Sequence, residues 1–171
     1  MDKYVVSADE ITAMPGLEKT HFLNPNAKRI NKSLGELTGL KAIGFHTIEV
    51  EPGHETTEPH VHHHEDECVY VLEGQAQASI GAEVITVTAG DFIGYRAGGE
   101  PHALRNTGDT LLRCIVVEQR LTGDVADYPC LGKRLFRAPG LHGTLSMWTT
   151  SVSLKRGARP DSMAASYISR A

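Results

Sequence analysis

Between residues 44 and 120, short apolar-rich segments alternate with turn-forming residues. Each segment ends at Gly, Pro, Asn or Asp, at the regular spacing typical of an antiparallel sandwich or barrel. No stretch of helical length with a 3.6-residue period stands out in this region. The segments are FHTIEVEPG, CVYVLEG, QAQASIG, EVITVTAG, DFIGYRAGG, HALRNTG and LLRCIVVEQ. The pattern therefore predicts an all-β domain over residues 44–120.

The two flanking regions lack this regular alternation of apolar segments and turns. Residues 1–43 form an N-terminal extension broken up by prolines and glycines, with YVV at 4–6 as a short strand candidate and a brief helical start after it. Residues 121–171 form a C-terminal extension that begins as a loop-like passage. TLSMWTTSVSL is one more strand candidate there, and the polar end of the chain is predicted to be partly flexible.

Length and composition narrow the class of protein. A chain of 171 residues fits one domain with appended segments, and it is long enough to bury a core without disulfides. The net charge of −4 and the absence of a basic stripe argue against nucleic acid as a partner. Three cysteines without CxxC spacing indicate reduced thiols. With no apolar signal core or membrane span visible, we expect a cytoplasmic protein without a membrane partner.

Candidate metal ligands lie in the stretch GHETTEPHVHHHEDECVYVLEG, residues 53–74. His60 and His62 are two residues apart, so in a strand their imidazoles point to the same face. Glu67 opens the next apolar run, and His102 lies in a third strand candidate. Three neutral imidazoles and one carboxylate suit one divalent metal ion, with iron, manganese, nickel and zinc all open.

Neighbouring polar residues compete for these roles. Asp66 is an alternative carboxylate, but Glu67 is in phase with the interior positions Val69 and Val71. His63 and His64 are interpreted as solvated rim residues, with a role as substitute ligands left open. Strand parity turns Cys68 away from Glu67, which favours a core thiol over a fifth ligand.

Residues 53–106 resemble the two signature motifs of the cupin superfamily, which are small β-barrels of the double-stranded β-helix type. The first motif is matched by Gly53, His60, His62, Glu67 and Gly74, and the second by Gly90, Gly99, His102 and Asn106. Arg96 stands where the second motif has proline, and the loop is one residue longer. The wording EDECVYVLEG, with DVADYP later, is similar to small single-domain bacterial cupins without an assigned activity.

The resemblance implies an all-β cupin jelly-roll barrel with irregular N- and C-terminal extensions. It also implies that four side chains bind the metal ion directly and leave one or two coordination positions for water or substrate. These are His60, His62, Glu67 and His102.

Further candidates surround these residues. Tyr95 is a candidate catalytic residue, with Glu51 and His64 as other possible acids or bases by position. Arg96 either binds an anionic substrate at the pocket mouth or lies on the surface over Tyr95. The barrel is predicted to be filled by Val69, Val71, Phe92, Ile93, Leu104, Ile115 and Val117.

Two functions follow as hypotheses. The first is a metal-dependent enzyme of oxygenase, isomerase or lyase type acting on a small polar metabolite. The second is a non-catalytic module that binds or senses a small molecule in the same cavity. The YVV segment and an exposed sheet edge favour a homodimer in which strands add across the interface.

Overall fold

The computed structural model describes residues 3–138 and 144–147, and most of their regular structure is β-strand. Two short helices are present, α1 (Ala8–Ala13) and α2 (Leu34–Leu37), and a 3-10 turn spans Pro129–Leu131. The strands are β1 (Leu17–His21), β2 (Asn24–Ser33), β3 (Ile43–Val50), β4 (Val61–His62), β5 (Glu67–Glu73), β6 (Gln75–Ile80), β7 (Glu83–Thr88), β8 (Phe92–Tyr95), β9 (His102–Asn106), β10 (Leu112–Gln119), β11 (Asp124–Tyr128), β12 (Lys133–Arg137) and β13 (Thr144–Met147).

The described strands form three antiparallel sheets. The largest has six strands in the order β1-β2-β3-β10-β5-β8. The other two, β7-β6-β9 and β13-β12-β11-β4, are linked by an isolated bridge between His60 and His102. Buried apolar side chains from β3, β5, β8 and β10 pack against those of β6, β7 and β9 in one core. The all-β jelly roll expected from the sequence is confirmed.

The motif residues Gly74 and Asn106 shape the turns of this barrel. Gly74 has φ +88°, and a Cβ atom there would lie 2.7 Å from the carbonyl oxygen of Leu111, so only glycine fits without strain. The fully buried Asn106 amide donates to the carbonyl oxygens of Val50 and Thr110 at 2.8 and 2.9 Å. Both residues hold loops next to the β9 and β10 strands.

The prediction that Phe92, Ile115 and Val117 fill the core is wrong. Phe92 is 66% exposed because Ile93 and Tyr95 take the inward positions of β8. Ile115 and Val117 are only half-buried. Leu112 and Cys114, which are fully buried, set the inward parity of β10. A shift of one residue reverses the face of every side chain in a strand.

The N-terminal segment adds two strands to the larger sheet. β1 and β2 form a hairpin, and β2 pairs with β3. Helix α1 begins at a capping box between Ser7 and Glu10, in agreement with the predicted helical start. Residues 4–6, a strand candidate by sequence, belong to no strand. The homodimer stays a prediction.

Two strands also lie in the passage after residue 120 that looked like a loop. β11 pairs with β4 and β12. Its alternation is hidden in the sequence because Asp124 and Asp127 occupy buried positions. β13 falls within the strand candidate TLSMWTTSVSL, whereas residues 148–171, including the predicted polar end, lie outside the described part of the chain. No helix among the described residues has the length and apolar character needed to cross a membrane.

Candidate metal centre

The backbone brings the predicted ligands together from separate stretches of chain. His60 and His102 face each other as an antiparallel pair, each accepting the other's backbone N–H at 3.2 and 2.8 Å. Paired residues in antiparallel strands project their side chains to the same face. His62 follows two residues later in β4, and Glu67 begins β5.

The side chains of His60, His62 and Glu67 form one cluster. Their ligand atoms all lie within 4.8 Å of one another. The Nε2 atoms of His60 and His62 are 3.1 Å apart, and His62 Nε2 lies 4.0 Å from Glu67 Oε2. The ring of His102 adjoins this cluster, with its centroid 4.8 Å from that of His60.

Each of the three imidazoles has its Nδ1 atom engaged with an acceptor. His60 Nδ1 donates to the carbonyl oxygen of Glu58 at 3.0 Å, and His102 Nδ1 to that of Glu100 at 3.2 Å. His62 Nδ1 donates to the buried carboxylate of Asp124 at 2.5 Å. A neutral imidazole with its proton on Nδ1 carries a lone pair on Nε2. Three Nε2 lone pairs are therefore available as ligands.

Two of these lone pairs, those of His60 and His62, are spaced as two ligands of one cation would be, while His102 adjoins the cluster without belonging to it. Two Nε2 acceptors at 3.1 Å repel each other unless something positive lies between. Nitrogen ligands about 2.1 Å from one ion are about 3.0 Å apart at a right angle. His102 Nε2 is buried without a hydrogen-bond partner among the described residues, which is rare unless a ligand is missing. The donor set thus fits a divalent metal ion.

Burial also sets the charge of these groups. It lowers the pKa of His60 well below its ordinary value and that of His102 to about 4, so both rings stay neutral at neutral pH. Burial, helped by the nearby charge of Glu118, raises the pKa of Glu67 to about 7. A bound cation would favour ionised Glu67, and it would not have to displace a proton from His60 or His102.

A second possible cluster of metal-ligating atoms, formed by His62, Glu65 and Asp124, is already satisfied by protein groups. Glu65 accepts from the backbone N–H of Leu121 at 2.6 Å and from Arg137. Asp124 accepts from His62 and from the backbone N–H of His64. The Asp124 carboxylate therefore holds the predicted ligand His62 in place through its Nδ1 atom.

The predicted ligands His60, His62, Glu67 and His102 all line a cavity of about 270 Å³. The cavity lining also includes polar side chains that the sequence did not single out: His21, Arg29, His46, Glu118, Arg120 and Tyr128. His46 Nε2 lies 3.6 Å from Glu118 Oε1 and 3.3 Å from Arg120 Nη2. These residues come from parts of the chain outside the ligand motifs, so motif spacing could not have found them.

Tyr95 lies in the cavity wall against a predicted ligand. Its ring stacks on that of His102 with centroids 3.7 Å apart and planes 5° apart. Its hydroxyl is buried and has no hydrogen-bond partner in the described part of the chain. Burial raises the pKa of Tyr95, so the hydroxyl stays protonated. Its catalytic role stays a prediction.

The other polar residues singled out in the sequence lie apart from the four predicted ligands. Arg96 is exposed and borders a second depression, together with Asp66 and Cys68. Asp66 caps a loop by accepting from the backbone N–H of Ala97 at 2.8 Å.

The remaining acid, base and histidine candidates also lie outside the predicted metal centre. Glu51 is exposed and outside the cavity lining, and His64 is also exposed. The half-buried His63 is paired with Asp127 at 2.8 Å.

Comparison with known proteins identifies relatives. A family profile described as "Cupin domain" matches residues 46–118. A solved structure from Acidithiobacillus ferrooxidans, provisionally named a sugar phosphate isomerase, is 42% identical, with a TM-score of 0.87 over 90% of this chain and 97% of that one. A sugar phosphate isomerase of the cupin superfamily from Silicibacter pomeroyi is 21% identical (TM-score 0.73, 82% of this chain and 92% of that one) and shares the fold. No curated protein matches the sequence significantly.

Proposed function

This chain belongs to the cupin superfamily, and from that premise we propose that it is a metal-dependent enzyme that isomerises a small phosphorylated sugar. The proposed ligands are His60, His62, Glu67 and His102. Iron, manganese, nickel and zinc all accept such a donor set. The reaction type and substrate class are proposed from the 42% identical relative, which this chain matches over 97% of that chain's length.

One observation carries the metal-dependent part of the proposal. All three imidazoles have Nδ1 engaged with an acceptor, and the Nε2 atoms of His60 and His62 lie 3.1 Å apart. An ordinary buried histidine uses both ring nitrogens in hydrogen bonds to protein groups, whereas the buried Nε2 of His102 has no such partner among the described residues.

The chain also holds groups suited to moving a proton, as isomerisation of an aldose to a ketose requires. The bound ion would act as a Lewis acid that polarises the substrate oxygens. Glu118 lines the cavity with its Oε1 3.6 Å from His46 Nε2, and its carboxylate, whose pKa is lowered by His46 and Arg120 against the effect of burial, is the proposed proton acceptor. Asn31 and Ser33 contact His46 Nδ1 at 3.3 and 3.1 Å and orient the ring. Tyr95 can serve only as a neutral O–H donor, because burial raises the pKa of its hydroxyl.

Metal analysis of untagged protein tests the first half of the proposal. We expect close to one ion per chain, and loss of that ion in the His60→Ala/His102→Ala double variant. His64→Ala is the matched control, because His64 is exposed next to the site and is not a proposed ligand. Equal, low metal content in wild type and the double variant would refute the metal-dependent reading.

Activity assays test the second half. The metal-loaded protein should interconvert phosphorylated aldose and ketose pairs without dioxygen, and the double variant should not. A sugar phosphate that raises the melting temperature without turnover would instead identify a non-catalytic binding module. Turnover that requires dioxygen would refute isomerase activity and indicate an oxygenase instead.

A further inference from the structure

Two cations face each other across the β1–β2 hairpin. Lys19 and Arg29 are direct cross-strand partners, so their side chains lie on one face of the sheet, and both line the metal cavity. Like charges directly opposite each other destabilise a strand pair. A pair of this kind at a cavity wall is favourable when an anion binds between the two charges.

The ion pairs of the cavity leave these two cations unmatched. Arg120 Nη2 binds Glu36 at 3.0 Å, and Arg137 binds Glu65. Across residues 3–138 and 144–147, neither Lys19 nor Arg29 has a carboxylate within 4.0 Å. Arg29 is half-buried and donates from Nη1 to the carbonyl oxygen of Thr56, which fixes the guanidinium in the wall. Burial lowers the pKa of Arg29, while the more distant carboxylates of Glu67 and Glu118 act in the opposite direction.

His21 extends this group toward the metal centre. It lies two residues after Lys19 in β1 and lines the same cavity. Its Nδ1 accepts the backbone N–H of Leu23 at 3.2 Å, and burial lowers its pKa to about 4, so the neutral ring carries its proton on Nε2. The ring of His21 is 5.7 Å from that of Tyr128, which in turn stacks on the ligand His60 at 5.9 Å.

We propose that Lys19, Arg29 and His21 form the subsite that binds the phosphate group of the substrate, while the metal centre binds its reacting end. This inference rests on the proposed function for the identity of the substrate. Guanidinium and ammonium groups are the usual phosphate ligands, and the neutral imidazole adds one N–H donor. A cavity of about 270 Å³ suits a small metabolite that spans both ends.

Calorimetric titration of metal-loaded protein with inorganic phosphate tests the subsite. We expect Lys19→Met and Arg29→Met each to weaken phosphate binding by roughly tenfold to a hundredfold, the range for hydrogen bonds to charged groups. Lys28→Met is the matched control, because Lys28 precedes Arg29 in β2 but is exposed. It should leave phosphate affinity unchanged. Equal weakening in Lys28→Met would reduce the effect to general electrostatics and overturn the inference.

Further measurements separate this inference from the proposed function. Arg29→Lys keeps the charge and should retain part of the affinity if Arg29→Met folds poorly, and metal content should be normal in every variant. Phosphate binding that survives both Met substitutions but disappears on metal removal would place phosphate on the ion and refute the subsite. Phosphate binding that depends on Lys19 and Arg29 in a protein without isomerase activity would support the subsite and refute only the proposed reaction.

Discussion

Asp124→Asn tests whether the metal centre depends on a residue outside the ligand motifs. Asp124 is 4% exposed, and its two oxygens accept from His62 Nδ1 at 2.5 Å and from the backbone N–H of His64 at 3.1 Å. The carboxylate therefore holds the His62 proton on Nδ1 and leaves Nε2 free to bind the ion.

Asparagine cannot reproduce both contacts. If its oxygen accepts from His62, its amide group faces the His64 N–H, and one hydrogen bond worth about 1–3 kcal/mol is lost. If its amide group faces His62, the ring must carry its proton on Nε2, where it blocks the ion. Partners of this kind contribute about 10- to 100-fold to metal affinity, or roughly 1.4–2.8 kcal/mol. We expect a loss of metal affinity in that range.

The assay is competition for the metal against a chelator of known affinity, at a pH where the imidazoles are neutral. Asp127→Asn is the matched control, because Asp127 lies in the same strand, is 6% exposed, and is bound to Arg134 and to His63, which is not a proposed ligand. It should reduce stability without changing metal affinity. An Asp124→Asn protein that binds metal within twofold of wild type would refute the reasoning.

Three further predictions concern stability and protonation. In the metal-free protein, the free energy of unfolding should fall as the pH drops from 6.5 to about 4. In this pH range the imidazole of His102 takes up a proton in the unfolded chain but stays neutral in the folded one. His102→Gln should remove about 3 kcal/mol of that fall in denaturant titrations, while the opposing effect of Glu67 is common to both proteins. Tyr95→Phe should keep its metal and melt no lower than wild type, because the hydroxyl has no partner among the described residues, while kcat falls if that hydroxyl donates to substrate. Gly74→Ala should cost about 1–3 kcal/mol in unfolding free energy, since φ is +88° and the new Cβ would meet Leu111.

Local sequence patterns were enough to predict much of the fold and the cluster of His60, His62 and Glu67. The period-two spacing of His60 and His62, and the phase of Glu67 with Val69, depend only on strand geometry. The outward position of Ile115 and Val117 was beyond such reasoning, because both faces of LLRCIVVEQ carry apolar residues and parity is then ambiguous.

The supporting residues could not be predicted for a different reason. Asp124 lies 62 positions from His62, and the contact exists only because β11 pairs with β4. The pairing of Lys19 with Arg29 depends on the register of the β1–β2 hairpin, which shifts between Thr20 and His21. Register and long-range pairing follow from tertiary packing, which a sequence pattern does not fix.

The charges around the cavity give these separate features one explanation. Arg120 and Arg137 are neutralised by carboxylates of the wall, and Glu67 would be neutralised by the ion that the imidazoles hold. Lys19 and Arg29 line the same cavity without a carboxylate within 4.0 Å among the described residues, whereas Glu118 lies beside His46 and Arg120. Two neighbouring cations of this kind raise the local concentration of anions. The same arrangement that makes the hairpin locally unfavourable therefore favours an anionic substrate once the metal is bound.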